Sequence, residues 1–368
     1  VGPLQLALSR RGALAGGLAL LSGRAAHAED PIPLKVAAAA CGLLYGAAVE
    51  PEDVARDSAY ADLVARHCAV VTPENAMKWD ALRPHPDAFD FARADRVVAF
   101  AEGIGAGVHG HCLVWHEALP RWMPGTMTPD AAAQALRGHI ATVVGRYAGR
   151  VNSWDVVNEA VERNDRRADG LRRSLWLEAL GPDYLQLAFR TAHAADPKAR
   201  LALSDYGLEY DDIGWMTEKR GTMLDLLRGL RGQGTPIHAL ALQGHLLGDH
   251  PPAFGTGLRD FLSAVSDLGL EIHVSELDVD DQKMPGDPAA RDRRSAEIYA
   301  RFLETTLAAS RVRMVSSWGL SDRYSSKRFL APRGDGTPVR PLPFDAGLRE
   351  KPSARRLRAA FAAAPART

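Results

Sequence analysis

Eight short apolar runs, each followed by an amphipathic or polar stretch, limit the folds open to this chain more than any other feature: GLLYGAAV, AVVTPEN, GVHGHCLVW, VNSWDVVNE, ARLALSDY, IHALALQGH, LEIHVSELD and VRMVSSWGLSD. Runs this short suit buried strands. Between them, GPDYLQLAFRTAHAAD, TMLDLLRGLRGQG and DPAARDRRSAEIYARFLETTLAAS place apolar residues at helical spacing with charge on the other face, and the second ends in the glycine that often closes a helix. Strands alternating with helices predict parallel βαβ units. Eight such units in 368 residues fit a closed (β/α)8 barrel, the TIM barrel of the α/β class, better than an open sheet. No long Pro/Ser/Gly-rich linker breaks the alternation, so residues 29–368 read as one catalytic-type domain. It ends in a last barrel helix and a frayed tail, RRLRAAFAAAPART.

Lys plus Arg and Asp plus Glu both number 45, so the net charge is zero and neither nucleic acid nor an anionic membrane surface is an expected partner. An uncharged ligand fits better. The first residues depart from the globular pattern, because SRRGALAGGLALLSGRAAHA sets Arg10 and Arg11 before a short apolar stretch and ends in Ala-His-Ala. Residues 1–28 therefore read as a twin-arginine-type export signal peptide cleaved after Ala28, which makes the protein periplasmic or secreted. The apolar run is too short for a bilayer, so no membrane anchor is expected, and the protein is expected to act as a monomer. Cys41, Cys68 and Cys112 allow at most one disulfide and contain no Cys-x-x-Cys, so they read as small core residues.

The C-terminal ends of the runs carry Glu74, Asn75, His111, Glu159, Asp205, His245, Glu276 and Trp318. In a barrel those ends converge on the face where active sites are built, so these separated residues are expected to line one pocket. Glu159 in WDVVNE and Glu276 in IHVSELD fall at the ends of the fourth and seventh runs. Either alone could be structural. Two together suit glycoside chemistry, in which one acid protonates a poor leaving-group oxygen while the other carboxylate attacks the anomeric carbon or activates water.

A rival reading gathers His109, His111 and His245 with Asp205, Asp278 and Asp322 as ligands of a catalytic metal. Two well-placed glutamates need no metal to hydrolyse an acetal, so neither metal nor cofactor is expected. Trp79, Trp115 and Trp318, near strand ends, could be flat platforms for sugar rings or ordinary core residues.

Six motifs, TPENAMKWD, HGHCLVWHEALPRWM, WDVVNEA, LQGHL, VSELDV and WGLSDRYS, stand in an order that resembles glycoside hydrolase family 10, the (β/α)8 endo-β-1,4-xylanases, over nearly the whole mature chain. The resemblance implies a retaining enzyme acting on xylan and xylo-oligosaccharides, with Glu159 as general acid/base and Glu276 as nucleophile. By the same resemblance Asn158 would bond the sugar 2-hydroxyl and the nucleophile, His245 would hold Glu276, and Asp278 would orient His245. Glu159, in drier surroundings, would keep its proton while Glu276 stays ionised. Sugar contacts on the glycone side would come from Glu74, Asn75, Lys78, His111, Trp115, Gln243 and Trp318.

Two stretches depart from the family. Ser204, Asp205, Tyr206 and Gly207 stand where Asn-Asp-Tyr-Asn is usual, and Tyr324, Ser325 and Ser326 replace Tyr-Ser-Trp, removing an aromatic lid. Losing one stacking platform costs on the order of 1 kcal/mol. Phe329 is the candidate to replace that lid. A non-catalytic xylan-binding barrel is the alternative these departures suggest.

Overall fold

The structure, a computed structural model, describes residues 31–367. The export signal expected over 1–28 and its cleavage site lie outside the described residues. Nine parallel strands form the sheet: β1 Leu44–Val49, β2 Val70–Pro73, β3 Gly107–Gly110, β4 Ser153–Asn158, β5 Arg200–Asp205, β6 Ala239–Leu242, β7 His245–Leu247, β8 Glu271–Asp280 and β9 Val312–Ser317. Neighbours pair in sequence from β1 to β6, β6 pairs with β8, β8 with β9, and β9 returns to β1. Eight strands thus close the predicted (β/α)8 barrel. The sixth run, expected as one strand, divides: Gly244 adopts φ +79°, and the chain resumes as β7, which pairs only with the outer end of β8.

The strands are buried along nearly their whole length because the ring packs side chains inward and helices outward. The helix Asp183–Ala195 shows how the outer layer is held, burying Tyr184, Leu185, Ala188, Phe189 and Ala192 on one stripe. Each large apolar residue so buried contributes about 1.5–3 kcal/mol. Gly110 is needed for a close approach: a Cβ there would sit 2.2 Å from the ring of the buried Trp154 on β4. That packing fixes the backbone between His109 and His111.

The expected frayed tail is instead fastened as far as Arg367. Its N–H donates to the Cys41 carbonyl (3.1 Å), and its guanidinium donates to the carbonyls of Val312 (2.9 Å) and Leu307 (2.7 Å). These carbonyls at the rim where β1 and β9 begin thereby gain donors. Cys41, Cys68 and Cys112 are free, buried thiols, and burial pushes Cys68 up to about 12. Among the described residues no helix is long and apolar enough to cross a membrane.

Candidate active site

Glu276 lies where the barrel wall ends. The β6–β8 ladder runs to Leu242 and Val274, the β8–β9 register slips between Val274 and Leu277, and the outer part of β8 pairs with β7 from His245 and Asp278 onward. The Glu276 N–H donates to the Gln243 carbonyl at 2.8 Å. One carboxylate oxygen, Oε2, sits 3.3 Å from His245 Nε2, whose Nδ1 is 3.0 Å from Asp278 Oδ1. The other, Oε1, accepts no hydrogen bond and has His111 Nδ1 at 3.9 Å. A carboxylate fixed through one oxygen with the other free is suited to attack.

The charges around it follow from what each group touches. Burial works against a charged His245, but the Asp278 carboxylate, followed by Glu276, pushes it up to about 10. Burial also opposes charge on Asp278, yet Lys327, with Nζ 3.3 Å from Asp278 Oδ2, and His245 hold it below the ordinary carboxylate range. A second chain approaches from β3 and β4. His111 Nδ1 and His109 Nε2 both lie 3.0 Å from Asp155 Oδ2, and His109 Nδ1 meets Ser153 Oγ at 2.7 Å. Despite complete burial, the two histidines keep Asp155 well below its usual value. Burial likewise opposes charge on His111, but Cys112, Asp155 and Glu276 raise it well above the imidazole range.

Glu159 is held differently. It follows β4 with φ +58°, a left-handed conformation costing a non-glycine residue about 1–2 kcal/mol. Two backbone bonds offset this: its N–H donates to the Ser204 carbonyl, and its carbonyl accepts from Arg172 Nε, both at 2.8 Å. Its Oε1 accepts from Gln243 Nε2 at 3.3 Å and from Asn158 Nδ2 at 3.5 Å. Oε2 has only distant neighbours, His116 Nδ1 at 3.8 Å and Arg172 Nη2 at 3.9 Å. Burial, then Arg172, lowers the His116 pKa, so that ring is neutral at pH 7. Gln243 thus joins the two glutamates, its amide on Glu159 and its carbonyl on the Glu276 backbone.

Among the described residues Asn158 does not reach Glu276 as expected. Its Oδ1 accepts from Gln243 Nε2 at 3.2 Å, and Gln243 stands between them. The residues expected on the glycone side fall into two contacting groups. Glu74, buried past the end of β2, is pushed up to about 7 by burial and the Glu50 carboxylate, against a hydrogen bond from Ser326 and the charge of Lys78. Asn75 donates to Glu50 and accepts from Lys78 Nζ at 2.9 Å, and that ammonium lies 5.0 Å from the Trp115 ring centroid. Trp318 meets His111 and His245 edge-on, with centroids 5.2 and 6.3 Å apart.

One expectation, at Phe329, needs correction, and two readings left open by the sequence are decided. Trp79 is no platform: it is 3 % exposed and stacks on His139 (3.8 Å) and Trp176 (4.8 Å) within the helical layer. Phe329 does not replace the lid. It is 79 % exposed, on a short helix, Lys327–Leu330, whose first residue turns to Asp278, and its ring meets the Arg328 guanidinium at 5.5 Å. The ligands of the rival metal reading, which the sequence did not favour, are not gathered, since Asp205 is taken by Lys219 (2.6 Å) and Asp322 by Lys351 (3.0 Å). His111, Asp155 and Glu276 do bring ligand atoms within 4.8 Å of one another, and His111 Nδ1 there faces Asp155 Oδ2 at 3.0 Å and Glu276 Oε1 at 3.9 Å.

At strand five the glycine in the usual Asn place has a cause. Gly207 has φ +69°, and a Cβ would fall 2.4 Å from the Trp215 ring. Sequence reasoning also missed Asp155, His116, Arg172 and Lys327. Asp155 sits inside the apolar run WDVVN, where a charged residue with no visible partner was itself the available signal.

Paired carboxylates in unlike surroundings, on the C-terminal face of a (β/α)8 barrel, place the protein among the barrel glycoside hydrolases. The chain belongs to glycosyl hydrolase family 10, whose sequence profile matches residues 33–360. It is 36% identical over 313 residues to the endo-1,4-beta-xylanase B of Paenibacillus barcinonensis, covering 79% of this chain and 88% of that one. The native xylanase 10B of Thermotoga maritima superposes with a TM-score of 0.80 at 31% identity, over 90% of this chain and 98% of that one. Xylanase 10B of Thermotoga petrophila RKU-1, solved in complex with xylobiose, gives 0.80 at 30% identity, with the same coverage of 90% and 98%.

Proposed function

We propose that the protein is a retaining endo-β-1,4-xylanase, with Glu276 as nucleophile and Glu159 as general acid/base. The observation that carries this reading is the contrast at Gln243, which joins a charge-locked glutamate with one free oxygen to a more loosely held one, in a chain of family 10. Glu276 attacks the anomeric carbon as Glu159 protonates the departing glycosidic oxygen, giving a glycosyl ester. Glu159, now a base, takes a proton from water; the water oxygen bonds to the anomeric carbon, the ester breaks, and the β-anomer is released. Retention calls for carboxyl groups about 5–5.5 Å apart. Glu74, Asn75, Lys78, His111, Trp115, Asn158, Gln243, His245 and Trp318 are the residues we assign to the sugar, with Asp278 orienting His245.

Reducing-sugar release from xylan, with NMR of the new anomer, tests the reading. Release that disappears in Glu276→Ala, with β-xylose ends formed first, is the expected result, and α-ends or no release from the parent would overturn it. Activity surviving exhaustive chelation separates this from a metal hydrolase. The export assignment to residues 1–28 rests on Arg10, Arg11 and the Ala-His-Ala ending; retention of the precursor in a strain lacking twin-arginine transport tests it. Monomeric action rests on a site assembled within one chain, and sedimentation tests it.

A further inference from the structure

Where the aromatic lid is absent, the loop after β9 brings Ser326 near Glu74 and places Lys327 Nζ 3.3 Å from Asp278 Oδ2. The Lys327 side chain is only 16 % exposed, so its ammonium has given up most of its water and needs an anion in exchange. It finds the outer oxygen of the carboxylate whose other oxygen faces His245. Counting the set with His245 as imidazolium gives Glu276 and Asp278 negative, His245 and Lys327 positive, and a sum of zero. Remove Lys327, and Asp278 and Glu276 keep one imidazolium between them, with His111, 3.9 Å from Glu276 and already on Asp155, nearby.

We propose, building on the xylanase reading, that Lys327 is a positioning residue: its ammonium on Asp278 completes a neutral Glu276–His245–Asp278–Lys327 set and so keeps Glu276 an anion facing the sugar. The groups that face this set from the surrounding elements are His111 just past β3, backed by Asp155 on β4, the buried Glu209 carboxyl, which accepts from the Gly244 N–H beside His245, Asp280 on β8 and Tyr299 on the helix Pro288–Thr306. None of them supplies a cation to Asp278 Oδ2. Lys327 is therefore assigned an action on Glu276 by its charge, chiefly through Asp278 and His245. In this chain the residue beside the missing Trp has become an electrostatic part, in place of a stacking surface.

The test is the pH dependence of kcat/KM on an aryl xylobioside for the parent, Lys327→Met, Lys327→Gln and Lys327→Arg. Losing a cation at this range is expected to move the acid limb up by roughly one pH unit in the Met and Gln variants. That is about a tenfold loss on the acid side and a much smaller one on the plateau, with Arg restoring the parental limb. Superimposable limbs, or an equal loss at every pH, would overturn the proposal. Carboxyl 13C NMR titration of the same proteins, assigned with Glu276→Gln and Asp278→Asn, reads the shift without turnover: a higher midpoint for Glu276 or Asp278 supports it, and unmoved midpoints refute it. A parent that cleaves no xylan or aryl xylobioside would refute the xylanase reading, while the NMR arm still decides the role of Lys327.

Discussion

The Glu276 side chain is 5 % exposed, with His245, His111 and, through Asp278, Lys327 arranged around it; the Glu159 side chain is 14 % exposed and relies on two amides, with cationic and imidazole groups at 3.8–3.9 Å. The first glutamate is fixed by charge and the second by backbone. A nucleophile keeps one protonation state until it attacks, so rigid ionic surroundings serve it. An acid/base must exchange a proton twice in each cycle, and a looser setting leaves room for leaving group and water in turn. The strained φ at Glu159 shows the same division, since position is enforced there through the main chain while the carboxyl stays lightly bonded.

The comparison can be broken most forcefully at Glu159. Glu159→Ala is expected to slow xylan hydrolysis by roughly 10²–10⁴-fold. Ester formation from a substrate with an acidic phenol leaving group should be affected far less, and added azide should restore turnover and yield a β-xylosyl azide. An equal loss on both substrates would mean that the loosely held glutamate is not the proton donor.

A smaller effect sharpens the comparison by separating the glycone wall from both glutamates. Burial and Glu50 push Glu74 up to about 7, so the carboxyl we assign to sugar hydroxyls gains its charge as pH rises through that point. Binding of xylobiose, followed by calorimetry from pH 5.5 to 8.5, should tighten by about fivefold as pH rises through that point, with no such change in Glu74→Gln. The smallest effect is at the exposed ring beside the cleft. Phe329→Ala should leave xylo-oligosaccharide affinity within about twofold, and a larger loss would show that this ring reaches the sugar after all.

Much of this was legible in the amino-acid sequence for a physical reason: strands buried on both faces must be continuously apolar, so Glu159 and Glu276 stood out at the ends of theirs. The barrel and the convergence of its strand ends followed from that pattern. What stayed hidden depends on pairings distant along the chain. Lys327 acquires meaning only beside Asp278, and Trp79 looked like a strand-end aromatic until the helix Pro129–Arg146 supplied His139 to stack on it. The break before β7 was masked because IHALALQGH was read as one strand with polar residues at its end, although Gly244 marks the turn. The strand-five departure was visible as Gly207, but its cause, the ring of Trp215, was not.

Arg367 ties the chain's end to carbonyls beside the starts of β1 and β9, at the mouth of the barrel remote from Glu159 and Glu276. Any module appended past this point begins from a moored position behind the catalytic face. A carbohydrate-gripping or surface-tethering partner grafted there would ride at the back and leave the polysaccharide's path across the front unobstructed.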